Sequence, residues 1–512
     1  MELPLRTRAS VACLALSLAA PAARAAGADP AARLPRAENW DVWGEARLRA
    51  LALTPVFEGA PGEVVMSRLV LGGQWTPSRP IRLELEAEAL SGWVAGDATS
   101  VGREVAARPF PQGRDGTGDL TRVVPRRARL LWTTPVGLLS AGAQTFTWGT
   151  GMLANDGAGD RPFGDPWLGN AVARLAFATR PLEALGAGGF AGSTALFVAG
   201  DYVLRDDNAS VYDGDRAFAG IAGLRAEHGG HIAGLLFSAR HQRDREDRSR
   251  PDGARAETTA YVLDAHGRVA LLADGAHHLA IEGEVAEILG ETTRPWSDAT
   301  VPGGAALRQT GAVLRARWDH DPTRVTASVE GGYASGDDAP RDDVVRTFTM
   351  HTDHDVGLVL FDQVLPLLSA RSVDRLQDPS LTAVPPAATR YAVNPGAVQN
   401  AFYVQPVVKL RPLPPLDLRL GYVFATPAGA LADPYQTALN GGFATSAGGR
   451  VHSRGAYGHE VDARATWDVD LGGPTRLRVG AEGGVFLPGA AFEGSDLPDL
   501  LFIGRAIASV HL

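Results

Sequence analysis

Along most of the chain apolar and polar side chains alternate one by one. In residues 81–89, Ile81, Leu83, Leu85, Ala87 and Ala89 fall on one side, and Arg82, Glu84, Glu86 and Glu88 on the other. Successive side chains of a strand point to opposite faces, so this segment has one apolar wall and one charged wall. A helix would bring Arg82 and Glu86 beside Leu85 and Ala89 and leave no clean face. The same period of two recurs in 323–333, 459–467 and 475–483. There Arg324 and Glu330, then Glu460, Asp462 and Arg464, then Arg476, Arg478 and Glu482 oppose mainly valines and alanines.

Carried along the chain, this template predicts eighteen strands, at 40–51, 64–75, 80–93, 122–134, 136–147, 170–180, 191–204, 216–228, 230–243, 256–272, 277–290, 307–320, 322–335, 399–411, 416–426, 456–469, 475–487 and 500–512. Their connections alternate in length. Those at 76–79, 135, 181–190, 229, 273–276, 321, 412–415 and 470–474 are short, and those between them run long, the longest at 336–398. A sheet that spans lipid must close on itself, because no water is there to satisfy an open edge. Strands of about ten residues suffice when tilted, and an even number returns both termini to one side. The fold expected is therefore all-β: a transmembrane antiparallel β-barrel with short periplasmic turns and long extracellular loops. A soluble propeller or sandwich would alternate equally well, but no blade-length repeat is present. Trp40, Trp75, Trp93, Trp132, Trp148, Trp318, Trp467, Tyr202, Tyr333 and Tyr457 fall near strand ends. That placement suits the two lipid–water interfaces. In this register Arg at Leu85 is expected to be costly, and Arg at Glu86 to be tolerated.

Composition narrows the class. With 45% hydrophobic and 21% charged residues in 512, the chain is not disordered. No apolar run reaches about 18 residues, which excludes a bundle of membrane helices. Arg6 and Arg8, the apolar stretch 11–20 and Ala23-Arg24-Ala25 have the layout of a secretory signal peptide over residues 1–25. The single cysteine, Cys13, lies inside that apolar stretch, so the mature chain forms no disulfide. Loss of Glu2, Arg6, Arg8 and Arg24 takes the net charge from −9 to −11, and an acidic chain of this kind is not expected to bind nucleic acid. Residues 26–512 are expected to form one barrel domain in the bacterial outer membrane, in contact with its lipid. The last strand runs to Leu512, where barrel assembly machinery usually reads an aromatic residue.

The run 144–157, with Trp148, Gly149, Gly151, Leu153, Asn155, Asp156 and Gly157, resembles the strand-to-loop segment of alginate-export-type outer-membrane barrels. Tyr333, Gly336, Asp337 and Asp338 at the start of the longest loop are similar to that family too. So are Gly458, Glu460 and Asp462 followed by Phe486, Pro488 and Gly489. The resemblance implies an eighteen-stranded outer-membrane pore that moves an anionic polysaccharide or small anions; alginate itself is not carried over.

On this register the lumen is lined by Arg82, Glu84, Glu86, Arg127, Arg129, Arg315, Arg317, Arg324, Glu460, Asp462, Arg464, Arg476 and Arg478, with cations in excess. Arginine forks bind carboxylate or phosphate in two-pronged fashion, so the excess suits an anion-selective porin. The plainer reading is that Arg–Glu ladders merely hold neighbouring strands together. Arg127, Arg129, Arg315 and Arg317 have few acids nearby in sequence and are the preferred pore residues. Segment 336–398 is expected to fold inward as a constriction or plug, with 361–368 packing as a short helix. Asp337, Asp338, Asp342 and Asp343 are oxygen ligands spaced for Ca²⁺ or, more simply, a solvated acidic loop. His351, Asp353, His354 and Asp355 suggest a membrane-embedded hydrolase as an alternative, and a closed structural or adhesive barrel is another. No nucleophile-elbow or His-Glu-x-x-His pattern occurs, and enzyme activity is not expected.

Overall fold

The computed structural model describes residues 39–78, 80–97, 123–159, 161–164, 169–246, 255–294, 304–383, 385–386 and 389–512. The expected leader, 1–25, lies outside them. Among the described residues nineteen strands form a single sheet, and one of these is only the two-residue Val344–Val345. The other eighteen make the wall: β1 Trp40–Leu53, β2 Glu63–Ser78, β3 Ile81–Gly96, β4 Val124–Thr134, β5 Gly137–Gln144, β6 Ala171–Thr179, β7 Ala195–Arg205, β8 Arg216–His228, β9 His231–Glu246, β10 Arg255–Ala273, β11 His277–Thr292, β12 Ala305–His320, β13 Val325–Ala334, β14 Ala401–Leu413, β15 Leu416–Pro427, β16 Gly458–Asp470, β17 Arg476–Pro488 and β18 Leu501–His511. Each pairs antiparallel with its neighbours in sequence. The sheet closes where β1 meets β18, from Glu45↔His511 to Leu53↔Ile503. Every expected strand is present.

Alternation decides which way each residue faces. Leu85, Leu175, Leu314 and Leu420 are each about 60% exposed, while Glu84, Glu86 and Glu88 beside Leu85 are buried. Apolar side chains therefore point out and charged ones in, the inverse of a soluble barrel. An even-stranded closed barrel with an apolar outer band is the architecture that crosses bacterial outer membranes, and this protein is an outer-membrane barrel. Trp40 and Trp75 stack at 5.6 Å at the short-turn end, where Trp132 and Trp467 are also exposed and Trp318 is partly so. Three of the expected interfacial rings turn inward instead. Trp148 and Tyr457 are buried, and Trp93 packs on Val64 and Met66 beside bulges in the β2–β3 pairing.

The half of the barrel nearest the long loops is not a hollow tube. Phe348, Met350, Leu358, Leu360, Phe361 and Val364 of the loop between β13 and β14 pack against inward-facing Val423, Ala425, Phe486, Leu501 and Ile503. Those wall positions are apolar because they seat the loop rather than face water. Leu360–Val364 makes one wide helical turn that leads into helix α1, Leu365–Gln377. Pro366 stands in the first turn of α1, where a missing N–H costs nothing.

Candidate functional site

Two inward loops and the wall around them define the site. The first, between β5 and β6, crosses the lumen. Trp148 donates from Nε1 to Asp264 on β10 at 3.0 Å, and the Thr150 hydroxyl reaches Glu284 on β11 at 2.6 Å. Farther on, Arg419 of β15, half-way round the barrel, donates to the carbonyls of Arg161 and Pro162. Gly421 beneath leaves room for the Phe163 ring, which a β-carbon there would strike.

The second loop locks onto the first. Arg161 pairs with Asp355 at 2.5 Å and Asp353 at 3.6 Å, and His351 Nε2 meets Asn170 at 2.8 Å. His354 Nε2 lies 3.0 Å from the Tyr403 hydroxyl and 3.2 Å from Glu330. The mixed imidazole–carboxylate run thus fastens loop to wall. Glu460 accepts N–H donors from Leu358, Val359 and Leu360, so the wall holds the loop by its backbone. Asp462, also fully buried, sits beside it. Asp362 approaches Arg505 of β18 at 3.3 Å.

The four arginines preferred in sequence as pore residues, and Arg464 and Arg478 with them, all have acid partners across or along the strands. Arg129 meets Glu84 at 2.7 Å and Gln144 at 3.1 Å; Arg127 meets Glu86 at 3.5 Å and Thr145 at 3.0 Å. Arg315 is bonded to Glu330, with Glu282 at 3.7 Å, and Arg317 to Asp319 at 2.8 Å. Arg464 and Glu482 are 3.1 Å apart, and Arg478 and Asp468 2.7 Å. For Arg127, Arg129 and Arg315 the partner sits on the next strand, far away in sequence, which is why counting nearby acids overstated their freedom; Arg317 is bonded two residues along its own strand. Arg82 and Arg476 stand exposed at the short-turn ends of β3 and β17. Arg324 lies in the tight turn before β13 with φ 53°, outside the wall where alternation had put it.

Sequence reasoning missed Arg126. A bulge at Glu86 lets both Arg126 and Arg127 face inward, where strict alternation sends Arg126 to lipid. It is buried, 3.2 Å from Glu86 and 3.1 Å from Glu88. The four loop acids do not converge on a common point. Asp337 and Asp342 bind Arg346 at 3.2 and 2.9 Å, Asp338 binds Arg454 at 2.5 Å, and the Asp343 carbonyl accepts the Ala306 N–H. Among the described residues no three side chains converge as metal ligands.

A cavity of about 650 Å³ runs from the long-loop mouth down the β6–β11 wall. Its apolar lining, including Val172, Val203, Ile221, Leu236 and Val262, is crossed by Arg174, Arg240, Arg294 and Arg390 and by the carboxylates of Asp201, Asp206, Asp207, Asp264, Asp337 and Asp433. Three of these cations are paired, to Asp201, Asp206 and Asp244 at 2.7, 2.5 and 2.7 Å. Arg390 differs. Its guanidinium lies over the Tyr391 ring at 4.7 Å, and among the described residues it has no carboxylate partner. Arg294 covers the same ring at 5.1 Å, so Tyr391 is held by two cations while its hydroxyl donates to Asp244. Arg390 lies in a loop without periodicity, so only its charge marked it.

No protein-family model matches the chain, and no curated protein sequence does. Among solved structures it is similar to Acinetobacter baumannii OccAB1, at 8% identity and TM-score 0.51 over 93% of this chain and 96% of that one. It is similar also to Pseudomonas aeruginosa OccK9 (OpdG), at 11% identity and TM-score 0.50 over 92% and 98%. The outer membrane protein OprD from Pseudomonas aeruginosa aligns over 96% and 97%, at 12% identity and TM-score 0.48. At such identities the likeness to the Occ proteins is one of fold. The resemblance read from short motifs accordingly narrows to the coarser class, an outer-membrane β-barrel.

Proposed function

We propose that the protein is an outer-membrane channel, a porin, for small anionic solutes. The cavity on the β6–β11 side carries this reading: it opens at the long-loop mouth and presents Arg390, which has no carboxylate partner among the described residues. A low-dielectric wall focuses the field of fixed charges into a narrow lumen, so a guanidinium with no carboxylate partner acts on a passing anion more than one held in a pair. The ladders of Arg127, Arg129, Arg315 and Arg317 then act chiefly as wall ties. An anionic polysaccharide, the cargo suggested by the alginate-export resemblance, is the finer alternative. A volume within the range of about 300–1,000 Å³ found for small-ligand sites, and two loops packed into the long-loop half of the lumen, favour single small anions.

The test is the reversal potential of refolded protein in a planar bilayer under a KCl gradient. Wild type should favour chloride, and Arg390→Glu should move the reversal potential toward potassium, most at low salt, where screening is weakest. An unchanged reversal potential in the variant would refute the role of Arg390.

A further inference from the structure

The outer face of β6–β10 interrupts the smooth apolar belt. Two hollows lie there one above the other and share Phe218 and His241. The upper, of about 490 Å³, sits at the long-loop rim and is lined by Arg216, Phe218, His241, Arg243 and Arg255. Below it a groove of about 830 Å³ descends over Gly200, Gly220 and Ala239, between Leu175 and Tyr261. The inward neighbours Ala217, Gln242, Asp244 and Ala256 are buried, so the three arginines face the membrane side.

Arg216 stands directly opposite Arg243 in the β8–β9 pairing. Like charges opposed across strands destabilise a sheet. Arg243 shares Glu257 at 2.6 Å, and Arg255 reaches Glu246 at 3.5 Å. Among the described residues Arg216 has no carboxylate partner. Three guanidinium groups and an imidazole thus face two carboxylates where the outer-leaflet headgroups begin.

The groove below is shaped by absence of side chains. Gly200 and Gly220 are paired directly, in a run of the β7–β8 ladder with no bulge. Neither has a positive φ, and a β-carbon on either would meet nothing within 4 Å. Glycine in a strand interior weakens the sheet, and here neither backbone nor crowding demands it. Two missing side chains at paired outward positions open the space that the groove occupies. The Tyr202 and Phe218 rings, 5.0 Å apart, bound the groove above.

We propose that this face binds a phosphorylated lipid of the outer leaflet. Its phosphate lies among Arg216, Arg243 and Arg255, and one acyl chain lies in the groove over Gly200 and Gly220. Guanidinium forks match phosphate geometry, and an anion between Arg216 and Arg243 turns their repulsion into two attractions. A second copy packed face to face would instead bring cations against cations.

Native mass spectrometry of the purified full chain, titrated with a bisphosphorylated acylated disaccharide and with its dephosphorylated form, tests the proposal. Wild type should retain one phosphorylated lipid and discriminate against the other. Arg216→Gln with Arg255→Gln should weaken retention by about tenfold or more, as expected for lost charged hydrogen bonds. Gly220→Leu should weaken it with every arginine in place, and unchanged conductance of each variant confirms an intact barrel. Equal retention of both lipids, or no effect of either variant, would overturn the proposal. So would binding of inorganic phosphate that displaces the lipid, which marks a free-anion site. A lipid-free dimer lost on Gly220→Leu would overturn it as well, by making the face a contact between copies. Conductance is read separately, so failure here leaves the channel reading standing.

Discussion

A single residue in this wall is judged by its partners as much as by its face. Leu85 points to lipid, so Leu85→Arg should cost about 2–4 kcal/mol at mid-membrane. Glu86, one position on, points inward, and alternation alone would let it become arginine. The structure overturns that expectation. Glu86 is buried among Arg126, Arg127 and the Trp43 indole, which donates to it at 2.9 Å. Glu86→Arg would place a third guanidinium there, and removing one partner of a buried pair costs about 3–5 kcal/mol. Arg82→Gln, exposed at the short-turn rim, should be nearly neutral. Denaturant unfolding in micelles of all three checks the order, and a tolerated Glu86→Arg would contradict the pairing.

At the scale of elements, the inward loops are the responsive parts. In the loop, outside the spanning strands, burial pushes the Asp362 carboxyl up to about 8; Asp355 and Glu460 add to this, and Arg505 opposes it. A carboxyl whose folded value is raised binds its proton more tightly when folded. Its contribution is therefore full at low pH and is lost as pH rises from about 4 toward 8. The loop should be held less firmly at pH 9 than at pH 5, with larger open-state current noise. Asp362→Asn should remove most of that difference; an equally steep pH dependence in the variant would assign it elsewhere. These loops were the least legible part of the sequence. Strands could be read because β3 or β16 keeps strict alternation over ten residues or so, and their boundaries fell within a few residues. β5 ends at Gln144, short of the expected 147, and the Thr145 hydroxyl that follows accepts from Arg127 of β4. The bulge that turns Arg126 inward breaks the period on which the reading depended. Trp148, Tyr457 and Arg390 take their places from loop packing, and no local pattern encodes that.

For the whole molecule, the proposed channel is an aqueous path along the β6–β11 wall, beside loops packed into the long-loop half of the lumen. The mature chain lacks cysteine if the leader is removed as expected, so single cysteines can probe that path without background. Ser238 on β9 lines the cavity, whereas Val359 is fully buried where loop meets wall. The decisive measurement is single-channel current before and after a charged, membrane-impermeant thiol reagent is added to Ser238→Cys and Val359→Cys. A steady current that drops in a discrete step for Ser238→Cys and is unaffected for Val359→Cys is the expected result. Absence of any current, or block at residue 359 with none at 238, would contradict the path described here.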